Sequence, residues 1–408
     1  MKKIVLIISL IPFILFAQKK DFVFVQKIVA SDRCEDTVNI HKGGDWFGWD
    51  VAVNGKSIVV SARNKPLNNK KSVGEVYLFE QNKYGKWIEK RKFTSKNKES
   101  SDYFGSQIAL NSNSLIISAD GEGVYPNKYK ELRGGVYFYN KIEGNWKLTN
   151  HILSDKYGRL GHNIALRDNK LAISDYINNN VFIFNKKAGN WNVVDTITKK
   201  TLFFSMGIAV SDKFAVTNVP NVKTNTNVFD IYHFDENGKA VFLQQISPPN
   251  KKYTFDNRVF LYKNFILLSS VVGYNNKGKV FLYELNKKGI WEFKKIFQSN
   301  LKIKGDFYGS DFCMNDKYIV IGAMGNDIDK QGNLKEIEGA VYIYKKTNNQ
   351  WVFHQKLKAV NPNVWDKYGF SVDISDKYIV VGCRFDKEDE NEENPINAAG
   401  AVYIYKTK

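Results

Sequence analysis

The chain has 408 residues, a formal net charge of +18 and three cysteines, Cys34, Cys313 and Cys383. Its length alone would allow two or three domains. An odd number of widely spaced cysteines excludes a disulfide framework. The excess of basic residues favours anionic partners.

The first residues have the pattern of a secretory signal peptide. Lys2 and Lys3 precede an almost wholly apolar run at residues 4–16, and Ala17 is a small residue at a plausible cleavage site. The run is shorter than the roughly 20 apolar residues that span a bilayer. We therefore expect residues 1–17 to be a signal peptide and the chain to be exported, whether periplasmic, cell-surface or secreted. Export argues against nucleic acid as a partner and favours anionic polymers or lipids of the cell envelope.

The remainder, residues 18–408, contains a repeat. Each unit starts with an aromatic-Gly pair such as Phe47-Gly48, and a short alternating strand, a tight polar turn and a second strand follow. A loop of variable length then leads to a third strand of the type GAVYIY. A further turn and a Trp begin the fourth strand, for example WVFHQKL at 351–357. Four short strands rich in Val, Ile, Tyr and Phe, bounded by turn residues, are typical of a propeller blade.

Seven repeat starts can be aligned on the first aromatic residue or its substitute. They are residues 47, 104, 160, 204, 255, 308 and 368. Three are degenerate, since Leu160 is not aromatic and the Gly is missing after Phe204 and Phe255. The count predicts an all-β, seven-bladed β-propeller of four-stranded antiparallel blades, forming a single domain over residues 18–408.

The seventh unit ends at AVYIYKTK and lacks a fourth strand. The stretch DFVFVQKI at residues 21–28 aligns with WVFHQKL and supplies that strand. The first and last segments of the chain would then share one blade, so that the ring cannot open without breaking a sheet. We therefore predict that the N-terminal strand closes the last blade.

These units resemble the FG-GAP repeat, the blade of the integrin α-chain propeller and of many bacterial exported proteins. The resemblance rests on three sets of residues, namely Phe47-Gly48 and Phe104-Gly105; Ser61-Ala62, Ser118-Ala119, Gly322-Ala323 and Gly382-Cys383; and the third-strand glycines Gly74, Gly135, Gly339 and Gly400. It implies the blade architecture. Calcium-binding members carry an acidic loop between the first and second strands, but here that connection has three or four residues, too few to wrap a calcium ion. Integrin-type metal sites and calcium-dependent adhesion are therefore not expected.

The long connections define the candidate binding face. The second-to-third and blade-to-blade connections lie on one face of a propeller. Four long second-to-third connections stand out, at residues 63–73, 120–134, 324–338 and 384–399. We call this the long-loop face. Aromatic side chains there can stack on sugars or anchor a protein. The predicted ligand-binding residues are Trp46, Tyr125, Tyr129 and Trp365, although packing of Trp46 and Trp365 between blades would also explain the two tryptophans.

We expect no metal and no cofactor. Secondary candidates for a calcium site are the acidic residues Asp327, Asp329, Asp386 and Asp389, whose irregular spacing is more typical of solvated acidic loops. Four acids near the strand starts, Asp45, Asp102, Asp306 and Asp366, recur with the aromatic residue. Their recurrence predicts capping of turns by side-chain hydrogen bonds.

The sequence leaves two classes of function open. None of the five histidines forms a metal-binding pair, and no nucleophile elbow or phosphate-binding glycine loop occurs. We therefore favour a non-catalytic protein, expected to be a monomer, that binds a protein or glycan of the envelope through its long-loop face. The alternative is a hydrolase or lyase acting on polysaccharide from the same face. Carboxylates with raised pKa in the central funnel would favour the enzyme.

The opposite face, formed by the first-to-second and third-to-fourth turns, is named the short-turn face. Its turns carry 17 basic and nine acidic side chains. Exposed lysines serve solubility, which is one explanation. The other is that this face rests on an anionic envelope surface and leaves the long loops free to meet a partner.

Overall fold

The structure, a computed structural model, describes residues 21–34, 44–123, 133–155, 158–201, 204–221, 226–270, 277–301, 303–328 and 333–408. Seven four-stranded antiparallel sheets and one two-stranded hairpin account for its regular structure. Within these ranges, no helix is long and apolar enough to cross a membrane. The expected signal peptide, Tyr125, Tyr129 and Asp329 all lie outside the described residues.

The strands follow the predicted repeat. Blades 1 to 4 consist of β2 (Phe47–Asn54), β3 (Ser57–Ala62), β4 (Glu75–Gln81) and β5 (Trp87–Phe93); β6 (Phe104–Leu110), β7 (Ser114–Ala119), β8 (Gly135–Ile142) and β9 (Asn145–Leu153); β10 (Leu160–Arg167), β11 (Lys170–Asp175), β12 (Asn180–Lys187) and β13 (Asn190–Thr198); and β14 (Ile208–Val210), β15 (Phe214–Asn221), β16 (Thr226–Phe234) and β17 (Ala240–Ile246).

Blades 5 to 7 complete the ring. They consist of β18 (Val259–Tyr262), β19 (Phe265–Ser270), β20 (Lys279–Leu285) and β21 (Trp291–Gln298); β22 (Tyr308–Met314), β23 (Tyr318–Ala323), β26 (Ala340–Thr347) and β27 (Gln350–Leu357); and β28 (Tyr368–Ile374), β29 (Tyr378–Cys383), β30 (Ala401–Thr407) and β1 (Phe22–Ile28). The hairpin of β24 (Asp327–Ile328) and β25 (Leu334–Lys335) lies in the long loop of blade 6. The prediction of seven blades closed by the N-terminal strand is confirmed.

The closing strand β1 reproduces the outer strand of the other blades in detail. It pairs antiparallel with β30, with Phe22 opposite Thr407 and Ile28 opposite Val402. Every third-to-fourth strand pair carries an irregularity at the same point of its register, and β1 carries its own between Phe24 and Gln26. Since a bulge re-aims the strand that carries it, all seven outer edges bend alike.

The core lies between adjacent blades. In blades 1, 5 and 6 the Trp of the outer strand packs edge-on against the aromatic residue that begins the second strand of the preceding blade, as Trp87 does against Tyr378 at 5.2 Å between ring centroids. Phe22 makes the equivalent contact with Tyr318 at 4.8 Å. Edge-to-face pairs of this kind add to the stabilisation from buried area. The aromatic ring of Phe22 therefore takes the place of a tryptophan.

The repeated glycines allow backbones to meet across blade boundaries. Gly400, with φ of +84°, precedes β30, and a Cβ atom there would lie 2.0 Å from the Phe47 carbonyl oxygen of blade 1. Gly74 meets Phe104 in the same way. In blade 2 the residue that fills this role is Gly134, not Gly135 as the resemblance suggested, because Gly134 is the one that meets Leu160 at positive φ.

Candidate binding face

Three of the four recurring aspartates cap turns, as predicted. Asp102 accepts hydrogen bonds from the Glu99 backbone N–H at 2.9 Å and from the Ser95 hydroxyl at 2.7 Å. Asp306 accepts from the Tyr308 N–H at 3.2 Å and also from the Gly278 N–H of blade 5, and Asp366 accepts from the Asn363 N–H at 2.7 Å. Asp45 differs because its carboxylate also forms a buried ion pair with Lys65 at 3.1 Å. These carboxylates fix the entrances to the inner strands.

An aromatic cluster surrounds one arginine at the centre of the long-loop face. The Arg384 guanidinium carbon lies 3.9 Å from the Phe370 ring centroid, 4.7 Å from that of Phe385, 4.9 Å from that of Trp49 and 5.3 Å from that of Trp46. We call these four rings and the arginine the Arg384 cage. Arginine stacks on aromatic faces because its cation is planar and weakly hydrated.

The repeat itself places the cage. Trp49 and Phe370 are the third residues of the inner strands β2 and β28, and Arg384 directly follows β29. The Trp49 indole N–H donates to the Ser106 carbonyl oxygen of blade 2 at 3.0 Å, while its ring packs on Phe370 of blade 7 at 5.1 Å. Three consecutive blades of the ring thus meet at one indole.

Positive charge accumulates around the cage. Arg63 stacks on Trp49 at 4.9 Å, and it is held by Asp120 at 3.4 Å. Burial, together with Arg63 and Arg258, lowers the pKa of Arg384 to about 10. Burial and the neighbouring Arg384 lower the pKa of Lys367 to about 8. The centre of this face therefore holds cations that are partly removed from water.

Asp120 organises the neighbouring part of the face. Its carboxylate pairs with Arg63, with Arg159 at 2.9 Å and with His162 at 3.3 Å. Burial alone would raise the pKa of Asp120. The hydrogen bond from His162 and the charges of Arg63 and Arg159 outweigh burial and hold this pKa well below its usual range. Asp120 is thus an ionised, fully engaged structural anion rather than a proton donor.

The inner strands enclose a central channel of about 800 Å³ lined by all seven blades. Three of the carboxylates that line it each accept a backbone N–H from the inner strand of the next blade at 2.8 Å: Asp50 from Ile108, Asp311 from Val372 and Asp373 from Val53. Burial raises the pKa of Asp50 to about 7, that of Asp373 to about 6, and also that of Asp311. The sequence criterion for an enzyme, carboxylates with raised pKa in the channel, is met, but these groups also join the blades.

The secondary metal candidates that the structure describes have other partners. Asp386 pairs with the buried Lys27 of β1 at 3.0 Å and accepts from the Tyr403 hydroxyl at 2.7 Å. Asp327 pairs with Lys358 at 3.0 Å and also with Lys356. The carboxylate of Asp389 accepts from N–H groups of its own loop, at Asn391 and Glu393, which caps that loop.

Among the described residues, one group brings three potential metal ligands together. Single ligand atoms of Asp366, Cys383 and Asp386, all buried, lie within 4.8 Å of one another. Burial raises the pKa of Asp366 to about 8 and that of Cys383 well above its usual range, so that both hold their protons. The Lys27 ammonium group, which pairs with Asp386, already supplies the positive charge that a metal ion would bring. The three residues therefore form a buried cluster whose charge is neutralised without a metal.

The structure separates the two predicted tryptophans. Trp46 is half-buried within the cage, stacked on Trp49 at 5.6 Å. Trp365 is 52% exposed, two residues before Lys367. Sequence reasoning missed Trp49, Phe370, Phe385 and Arg384. A signal existed, because the third residue of each inner strand and the residue after each second strand occupy repeat positions that the ring brings to its axis.

Comparison with known proteins agrees with this architecture. The fold defines a seven-bladed β-propeller. The FG-GAP repeat family model matches residues 22–79 and 351–405, so these two segments are FG-GAP repeats. The first matched segment covers β1, β2, β3 and most of β4, and the second covers β27 to β30, so the two include the strands that meet at the ring closure. No curated protein matches the chain.

Solved structures share the fold at low identity. A putative 6-phosphogluconolactonase from Bacteroides uniformis is 12% identical, with a TM-score of 0.52 over 81% of this chain and 90% of that protein. A protein from Lactobacillus plantarum is 12% identical, with a TM-score of 0.50 over 78% of this chain and 86% of its own. At such identity the likeness extends to the propeller fold alone.

Proposed function

We propose that the chain is an exported, non-catalytic binding protein that recognises a protein or glycan of the cell envelope through its long-loop face. The observation that carries this proposal is the Arg384 cage. Tryptophan, tyrosine and arginine dominate the residues that supply binding energy in protein interfaces, and they do so near the centre of the interface. Aromatic rings also provide stacking surfaces for sugars. The cage concentrates both residue types at the axis of a rigid ring.

The test is capture of a partner from the organism's own envelope, combined with a glycan array. Trp46→Ala and Phe385→Ala each remove one ring of the cage, and we expect either change to weaken capture at least tenfold. Tyr84→Ala is the matched control, because Tyr84 is 81% exposed on a third-to-fourth turn of the opposite face. Equal capture by the folded cage variants and the wild type would contradict the proposal.

A second candidate function is cleavage of a polysaccharide, either by hydrolysis or by the elimination reaction of a lyase. It is favoured by Asp50, Asp311 and Asp373, since groups with strongly perturbed pKa values cluster at catalytic sites. Their hydrogen bonds to the next blade give these carboxylates a structural task that explains their burial without catalysis. Release of new reducing ends from envelope polysaccharide by the wild type, lost in Asp50→Asn, would establish the enzyme. Absence of such release would contradict the enzyme and favour the non-catalytic binding protein.

A further inference from the structure

Two cations at the long-loop face have no anionic partner within the part of the chain that the structure describes. Arg63 is paired with Asp120, and Arg258 is paired with Asp311 at 3.2 Å. Arg384 and Lys367, by contrast, form no ion pair with any described residue. The Nε atom of Arg384 is buried without a hydrogen-bond acceptor. An uncompensated, partly buried charge is costly for a fold.

The surroundings hold these two cations in fixed positions. Four rings enclose the Arg384 guanidinium group, and the Lys367 ammonium lies 4.8 Å from the centroid of the Phe385 ring, which also belongs to the cage. Trp365 and Lys367 both have positive φ, and their backbone N–H groups donate to the carbonyl oxygens of Glu336 and Ile337. The segment is thus tied to the loop of blade 6. A guanidinium held in one orientation is prepared for two parallel hydrogen bonds to a planar anion.

We propose that Arg384 and Lys367 bind the carboxylate of an acidic sugar unit in the envelope partner. This inference rests on the proposed function and names the chemistry of its ligand. The planar fork of Arg384 would bind both carboxylate oxygens, and Lys367 would add a point charge beside them. The exposed Trp365, two residues from Lys367, supplies a ring on which the C–H face of the sugar stacks.

A glycan fits these observations better than an acidic protein segment. An acidic sugar offers both a carboxylate for a charge contact and an apolar C–H face for stacking, and Lys367 and Trp365 provide the matching cation and ring within three residues. The same cations would also attract phosphate or sulfate groups, and the experiment must separate these anions from a carboxylate. Capture of an acidic protein instead of a glycan would overturn the assignment of the ligand.

The test is calorimetric titration of the mature chain with trisaccharides of galacturonate, glucuronate and mannuronate. Their methyl esters are the neutral controls, and inorganic phosphate and sulfate are the competing anions. We expect at least one acid trisaccharide to bind tenfold or more tightly than its ester. Arg384→Gln should abolish this preference, and Arg384→Lys should weaken it about tenfold, because lysine keeps the charge but loses the planar fork.

Lys367→Gln should weaken binding severalfold, whereas Lys287→Gln, which removes one exposed charge from the opposite face, should leave it unchanged. The melting temperature of each variant shows whether it is folded. The proposal is overturned if no acid trisaccharide binds, if acid and ester bind equally, if folded Arg384→Gln and Arg384→Lys both bind like the wild type, or if phosphate or sulfate binds more tightly than every sugar acid.

The binding function and the carboxylate assignment can fail separately. If Trp46→Ala loses the envelope partner while Arg384→Gln, still folded, retains it, the binding function stands and the carboxylate assignment fails. If both folded variants retain the partner, both proposals fail.

Discussion

Gln355 of β27 and Phe22 of β1 exchange two hydrogen bonds. The Gln355 side chain accepts from the Phe22 N–H at 3.1 Å and donates to the Phe22 carbonyl oxygen at 2.9 Å. Two further pairs of neighbouring blades are joined identically, by Gln26 with Trp87 and by Gln244 with Trp291. The first strand of the chain is therefore bound to its neighbour as if it were an ordinary outer strand.

Deletion of residues 21–28 should destabilise the whole ring. It would remove the outer strand of blade 7, the Phe22–Tyr318 contact and the Lys27–Asp386 ion pair, and it would expose the edge of β30 to association with other chains. Thermal unfolding and light scattering are the measurements, and we expect a much lower melting temperature with aggregation. Gln355→Ala is a milder comparison, expected to cost about 1–3 kcal/mol. A truncated protein that melts like the intact one and stays monomeric would contradict ring closure.

Asp366→Asn should make the protein lose less stability as the pH rises from acidic to neutral values. Burial raises the folded-state pKa of Asp366 to about 8, above its ordinary value of 3.8. Between these values the folded state holds a proton that the unfolded state has released, so stability falls as pH rises through this window. The asparagine has no proton to release.

The measurement for Asp366→Asn is the free energy of unfolding by denaturant at pH 5 and pH 8. Between these pH values, we expect the free energy of unfolding of the variant to rise relative to that of the wild type by on the order of a few kcal/mol. Asp376→Asn, at an exposed position on a short turn, is the control. A difference that does not change with pH would show that the carboxyl is ionised in the folded state.

Removal of metal ions should leave the fold unchanged. The connections between first and second strands are hairpin turns, and Asp386 and Asp327 are paired with lysines. Since a ligand that binds the folded state raises its stability by mass action, a chelator should shift the melting temperature by no more than about 1 °C. A drop of several degrees, restored by calcium, would reveal a site, with residues 384–394 as the first place to look.

The short-turn face should bind anionic surfaces in a salt-dependent way. Lys186 is held by the Asn140 side chain, and Lys345 is paired with Asp21, so the free charges of this face are better represented by the exposed Lys187, Lys287 and Lys288. Changing these three to Gln should weaken sedimentation with anionic phospholipid vesicles at low salt. At physiological salt, screening over about 8 Å should remove most of the difference.

The matched control for this face changes three exposed lysines of the long-loop face, Lys98, Lys251 and Lys387, to Gln. It alters the net charge by the same amount. If both triple variants lose vesicle binding to the same extent, net charge alone is responsible. If neither variant loses binding, the basic turns serve solubility.

The fold was predictable from sequence because each blade repeats local signals. Turn residues, alternating strands and the Trp of the outer strand recur at regular positions, and Phe22 aligns with that Trp despite the distance along the chain. The Arg384 cage was not predicted, because it joins Trp49 to residues more than 300 positions later. Periodicity identifies the positions that reach the axis, but the side chains that meet there depend on how blade 7 docks against blade 1.

The central claim, recognition through the cage, is tested most directly by hydrogen exchange of the protein with and without a partner captured from the envelope. We predict protection of the segments 44–49, 363–370 and 384–389, where the cage residues lie. Segments 82–86 and 286–290 of the short-turn face should be unaffected. Protection confined to the short turns, with no change around Trp46 and Arg384, would contradict the account.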